Sequence, residues 1–94
     1  MEFLVHMEIE LPHDLPSAQV QELRATEAER ARALRRQGSL VRIWRIPGRT
    51  ANVGVWSAAD ATELHELITS LPLAEWADIE VTPLAEHYVE ADGD

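Results

Sequence analysis

The sequence predicts an α+β fold, a four-stranded antiparallel sheet with two helices on one face. Three observations predict it: strict alternation over residues 2–11, a helical period held from Ala18 to Gln37, and a Pro47-Gly48 turn between two strand-like runs. In the first run Phe3, Val5, Met7, Ile9 and Leu11 share one face, while Glu2, Leu4, His6, Glu8 and Glu10 share the other. Pro12, Asp14 and Pro16 break this strand, and Ser17 is the expected N-cap of the first helix. Gly38 is the expected terminator. Strands over 40–46 and 50–56 then fold back on each other as a hairpin. Ser57 or Asp60 caps a second helix with the stripe Leu64, Leu67, Ile68 and Leu71, ended by Pro72. Ile79, Val81 and Leu84 mark a last strand over 78–84. The order β-α-β-β-α-β is the split βαβ, or ferredoxin-like, pattern.

Size and composition narrow the function. Ninety-four residues make one domain, placed at 1–87, with 88–94 as an acidic C-terminal tail that is expected to be loose from about Glu86. No apolar run approaches the roughly 18 residues that span a bilayer, and the start lacks the pattern of an export signal. The absence of cysteine removes disulfides, thiolate metal sites and cysteine nucleophiles, and cytoplasm is the expected compartment. Seventeen acidic against eight basic residues, a formal charge of −9, repel a phosphate backbone and exclude a nucleic-acid-binding role. All eight basic residues are arginines lying between Arg24 and Arg49, a local positive patch suited to a small anion. Those on the helix, Arg30, Arg32, Arg35 and Arg36, read more simply as a solvated face beside Glu22, Glu27 and Glu29.

One residue breaks the apolar pattern. Glu27 projects into the stripe formed by Val20, Leu23, Ala31 and Leu34, and a carboxylate there must find a donor or hold its proton more tightly. It is either a structural ion pair with a neighbouring arginine or a general base. His6, His13, His65 and His87 lie in four separate segments without metal-ligand spacing, so no metal site is expected. No nucleotide loop and no serine nucleophile elbow is present, which leaves proton transfer. For that chemistry Glu27 is the candidate base and His65, at the border of the second helix's stripe, a candidate relay or donor. Asn52, Arg42 and Arg45 are candidates to bind an oxyanion or carboxylate, and Trp44, Trp56 and Trp76 are either pocket walls or core and interface aromatics. A sheet with helices on one side only also leaves Leu4 and His6 on an open face, which a second subunit's sheet would cover.

The run of Leu11-Pro12, Glu27, Leu40 through Trp44-Arg45, Gly48, Asn52, Leu64-His65, Leu71-Pro72-Leu73, Asp78-Ile79, Leu84 and His87 resembles the muconolactone Δ-isomerase family over about residues 1–87. The resemblance implies a dimeric α/β barrel assembled into a homodecamer, acting in the β-ketoadipate pathway without metal or organic cofactor. Its substrate is a small anionic lactone. It further implies Glu27 as base, His65 and Asn52 as polar groups about the ring, Arg45 or Arg42 for the substrate carboxylate, and Trp44 as a wall. The chain departs from the family pattern at His6 and Ala28, where members carry lysine, at Ala74-Glu75-Trp76, where an aromatic-proline-aromatic run is usual, and at Trp56-Ser57 and Tyr88. Three readings follow: an isomerase of muconolactone or a similar lactone acid, another enzyme on the same scaffold such as a chloromuconolactone dehalogenase, and a non-catalytic ligand-binding or assembly module.

Overall fold

A computed structural model describes residues 1–91. Strand β1 (Glu2–Ile9) leads through α1 (Ser17–Gln37) to β2 (Leu40–Arg45) and β3 (Ala51–Ser57). Helix α2 (Ala61–Thr69) and a 3-10 turn at Ala74–Trp76 then lead to β4 (Ala77–Leu84), and a single helical turn, α3 (Tyr88–Ala91), follows. The sheet order is β2-β3-β1-β4, all pairs antiparallel, so β1 lies inside and β2 and β4 are edges. The ferredoxin-like expectation holds element by element.

Alternation decides which side is dry. Phe3, Val5 and Met7 are buried under the helices, joined there by Leu40 and Trp56 from the hairpin, Leu34 from α1, and Leu64, Ile68 and Leu71 from α2 and its end. Phe3 stands opposite Trp56, and Trp56 opposite Leu40, so three adjacent strands contribute one continuous apolar row. Burying side chains of this size contributes about 1.5–3 kcal/mol each before entropy is subtracted. Gly54 sits inside this layer because a Cβ there would lie 3.1 Å from the Arg42 carbonyl oxygen.

The helix ends differ from expectation in one place. Ser17 does not cap α1: Pro16 takes the N-cap position, with no side-chain cap, and Ser17 is already helical. The fixed φ of proline suits the entry into a helix, and the Pro16 carbonyl accepts from the Gln19 and Val20 N–H groups. Gly38 ends the helix in the left-handed conformation, φ 87°, donating to the Arg35 carbonyl. Of the two candidates for α2, Asp60 is the cap, its Oδ1 accepting from the Glu63 N–H at 2.8 Å, while Ser57 closes β3. The segment expected to be loose from Glu86 carries the helical turn α3, whose first residue, Tyr88, stacks on the ring of the preceding His87; residues 92–94 lie outside the described ones. Among the described residues no helix is long and apolar enough to cross a membrane.

Candidate active site

Helix α1 is fastened to the connection between α2 and β4 at two points one turn apart. Arg30 Nε donates to Ser70 Oγ at 3.0 Å, and the Leu73 N–H donates to Glu27 Oε1 at 2.9 Å. The second bond follows from the local chain. Leu73 precedes the 3-10 turn, whose own bonds run from Ala74 N–H to the Leu71 carbonyl and from Trp76 N–H to the Leu73 carbonyl. The Leu73 N–H therefore has no partner within the turn, and Leu73 is buried, so the amide needs an acceptor from elsewhere. Glu27 supplies it.

Glu27 forms no ion pair among the described residues, which disposes of the structural salt bridge; the ion pair present there joins Arg49 to Glu8. Of the helix arginines read as a solvated face, Arg32, Arg35 and Arg36 are exposed, whereas Arg30 is half-buried and holds Ser70. Half-buried between α1 and the α2–β4 connection, the Glu27 carboxyl has its pKa pushed up by loss of water, opposed by the Leu73 hydrogen bond. One oxygen is thus pinned, and the second takes no hydrogen bond from the described residues.

Strand register separates the remaining candidates into two groups. Asn52 pairs with Met7 on one side and Arg45 on the other, which places both Asn52 and Arg45 on the helix-covered face with Glu27. They line a cavity of about 90 Å³ together with Ile9, Thr50, Ala51 and Arg24. Arg24 is three residues before Glu27, about 4.5 Å along the helix axis. Arg42 and Trp44 fall on the opposite, open face, where the Arg42 guanidinium lies 5.2 Å over the Trp44 ring and Trp44 is 45% exposed. His6 pairs with Val53 and Glu80 on that same face.

His65 is exposed on α2 and makes no side-chain hydrogen bond to Glu27, so the interior orientation suggested by its border position is not found. Its neighbour Leu64 takes the buried place instead. Trp56 is core and Trp76 half-buried. Two groups close to the candidates were not singled out in the sequence reading. The Leu73 amide leaves no side-chain signal beyond its place in Leu71-Pro72-Leu73; Arg24 was read only as one end of the arginine patch, with no role of its own. Among the described residues no three acidic or histidine side chains gather to hold a metal ion.

The sequence and the fold have counterparts among known proteins. A family model described as Muconolactone delta-isomerase matches residues 1–90. The Muconolactone Delta-isomerase of Cupriavidus pinatubonensis is 39% identical over 93% of this chain and 95% of its own. That of Pseudomonas aeruginosa is also 39% identical, over 93% of this chain and 91% of its own. A crystal structure of muconolactone isomerase superposes with a TM-score of 0.87 at 39% identity, covering 93% of this chain and 91% of the other. With matching sequence along nearly its whole length and a matching fold, the chain belongs to the muconolactone Δ-isomerase family.

Proposed function

We propose that the protein isomerises muconolactone, or a closely similar unsaturated lactone acid, with Glu27 moving the proton. The ring carbon that bears the carboxymethyl arm loses its hydrogen to the Glu27 carboxylate, and the electron pair spreads through the ring double bond onto the lactone carbonyl oxygen. The now neutral Glu27 returns the proton to the carbon beside the carbonyl. The double bond has moved by one position, Glu27 is again charged, and no electron has entered or left. One carboxylate serves both steps because it reaches two carbons on one ring face.

The observation that carries this reading is the half-buried Glu27 with one oxygen held by the Leu73 amide. A carboxylate whose pKa is raised binds a carbon-derived proton more firmly than one in water, and an oriented one loses little entropy in reaching it. Asn52 is the donor proposed for the developing oxyanion, where a fixed amide N–H stabilises charge better than mobile water. An ultraviolet assay of muconolactone turnover tests the reading, comparing wild type with Glu27→Gln. The expected loss is about 10²–10⁴-fold in kcat; equal rates for the two proteins overturn it.

Self-association belongs to the same proposal. Leu4, Trp44, Val53 and Val55 form an apolar band on the open face, with Leu4 and Trp44 exposed in the isolated chain. Two such faces closing on each other make the dimeric barrel, and further assembly gives the homodecamer. Arg42 and Trp44 lie on the opposite face of the sheet from Glu27 within one chain, so any part they play at the ring is played across a subunit boundary. Size-exclusion chromatography that returned the mass of one chain would contradict the assembly.

A further inference from the structure

A small cavity bordered by Arg24, one helical turn before Glu27 on α1, is lined by two exposed arginines and no acid. Its polar residues are Arg24, Arg45, Asn52 and Thr50, all able to donate hydrogen bonds. Neither Arg24 nor Arg45 makes an ion pair or a side-chain hydrogen bond among the described residues, although the protein carries more than twice as many acidic as basic residues. An anion seated in the hollow would meet two positive side chains that have no other anionic partner among the described residues. A second hollow of about 880 Å³ shares the walls Ile9 and Thr50 but, beside His13 and the Arg49-paired Glu8, is rimmed by Glu10, Glu75 and Asp78, the wrong sign for a carboxylate. Of the two adjoining spaces, the smaller therefore attracts an anion and the larger repels one.

We infer that Arg24 and Arg45 form a two-guanidinium clamp for the substrate's carboxylate arm, which makes Arg24 a specificity-determining residue. The inference rests on the isomerase reading for the identity of the substrate. A volume of about 90 Å³ suits a carboxymethyl group rather than a whole lactone, so the ring stays outside the cavity. Arg24 and Glu27 lie one turn apart on α1, about 4.5 Å along its axis, on neighbouring positions of the helix surface. An acid gripped at Arg24 thus presents the carbon that bears the arm, the one that must lose its proton, toward Glu27. The planar forks of the two arginines fit the two carboxylate oxygens, a geometry that lysine does not reproduce. Arg42, on the other side of the sheet, is not part of the clamp.

The test uses furan-2-acetate, an unreactive ring with the same arm, and its neutral methyl ester, with binding measured by calorimetry or NMR titration to wild type, Arg24→Gln and Arg24→Lys. Arg24→Gln is expected to weaken acid binding about ten- to a hundredfold, the effect of losing one charged hydrogen-bond partner. Ester binding should be unchanged and Arg24→Lys should recover part of the loss. In turnover the same variant should raise KM for muconolactone with kcat nearly preserved. Equal affinity of wild type and Arg24→Gln for the acid overturns the inference, as does an equal loss for acid and ester, which marks a merely structural residue. A wild type that binds the acid through Arg24 and turns over no muconolactone removes the isomerase reading and leaves the carboxylate site standing.

Discussion

Two carboxylates of this chain have opposite fates, and the contrast locates its chemistry. Glu8, near the end of β1, meets Arg49 beyond the hairpin turn: both Glu8 oxygens accept from Arg49 Nη2, at 2.6 and 2.8 Å, in a solvent-exposed corner. The Arg49 guanidinium holds its pKa below the ordinary value of 4.5. Glu27, packed between α1 and the α2–β4 connection, has a backbone amide for a partner and no cation, and burial lifts its pKa above the same value. A carboxylate satisfied by a cation is a weak base with nothing left to do. One that is half dry and neutralised by no cation keeps an appetite for protons. The difference lies in position rather than residue type.

The sharpest break of that contrast is in turnover. Glu27→Gln should cost about 10²–10⁴ in kcat, since the amide keeps the Leu73 hydrogen bond and loses only the ability to take a proton. Glu8→Gln should leave kcat/KM within about twofold of wild type, as expected of an exposed ion pair that touches no substrate. Comparable losses in the two variants would erase the distinction.

Next in size is the pH profile of catalysis. The base must be deprotonated, so kcat/KM should fall on the acid side with a midpoint above 4.5, the displacement reporting the dry surroundings of Glu27. A midpoint at or below that value would mean the carboxylate is solvated in the working enzyme.

Stability against pH should run in opposite directions at the two sites. The folded chain holds the Glu27 proton more tightly than the unfolded chain does, so the contribution of Glu27 is complete below 4.5 and is lost as pH rises through its raised folded value. Glu27→Gln should therefore melt higher than wild type at neutral pH, with the gap closing in acid. Glu8 behaves conversely: its contribution is present above 4.5 and is lost as pH falls through its lowered folded value. Thermal melts of both variants from pH 3 to 8 check the two signs.

The smallest effect is on the salt dependence of the corner pair. Arg49→Ala should raise the Glu8 pKa toward its ordinary value and shift the melting temperature only marginally, with even that difference screened at 0.5 M salt. A large, salt-insensitive drop would show that the corner is structural after all.

What was legible depended on how local the cause was. Alternation in β1, the period of α1, the Pro47-Gly48 turn and Gly38 each report a preference acting within a few residues, and all led to the elements found. Ser17 failed as a cap because a serine before a helix and the first residue of one look alike in sequence, whereas Pro16 accepts the same role through its carbonyl. His65 failed as an inward group because one position of rotation separates the stripe from its border, and Leu64 wins the dry side on hydrophobicity.

Pattern alone was enough to set the order of strands and helices, the dry face of β1, and the anomaly of an acid in an apolar stripe, because each depends on neighbours one to four residues apart. Pattern could not say that Glu27 would take its hydrogen bond from Leu73, 46 residues away, rather than from an arginine nearby. Nor could it sort Arg45 and Asn52 from Arg42 and Trp44. Which side of a sheet a residue occupies is set by pairing register across strands, and the bulge between Leu40 and Arg42 shifts that register by one, turning Arg42 to the open face and Arg45 toward the helices.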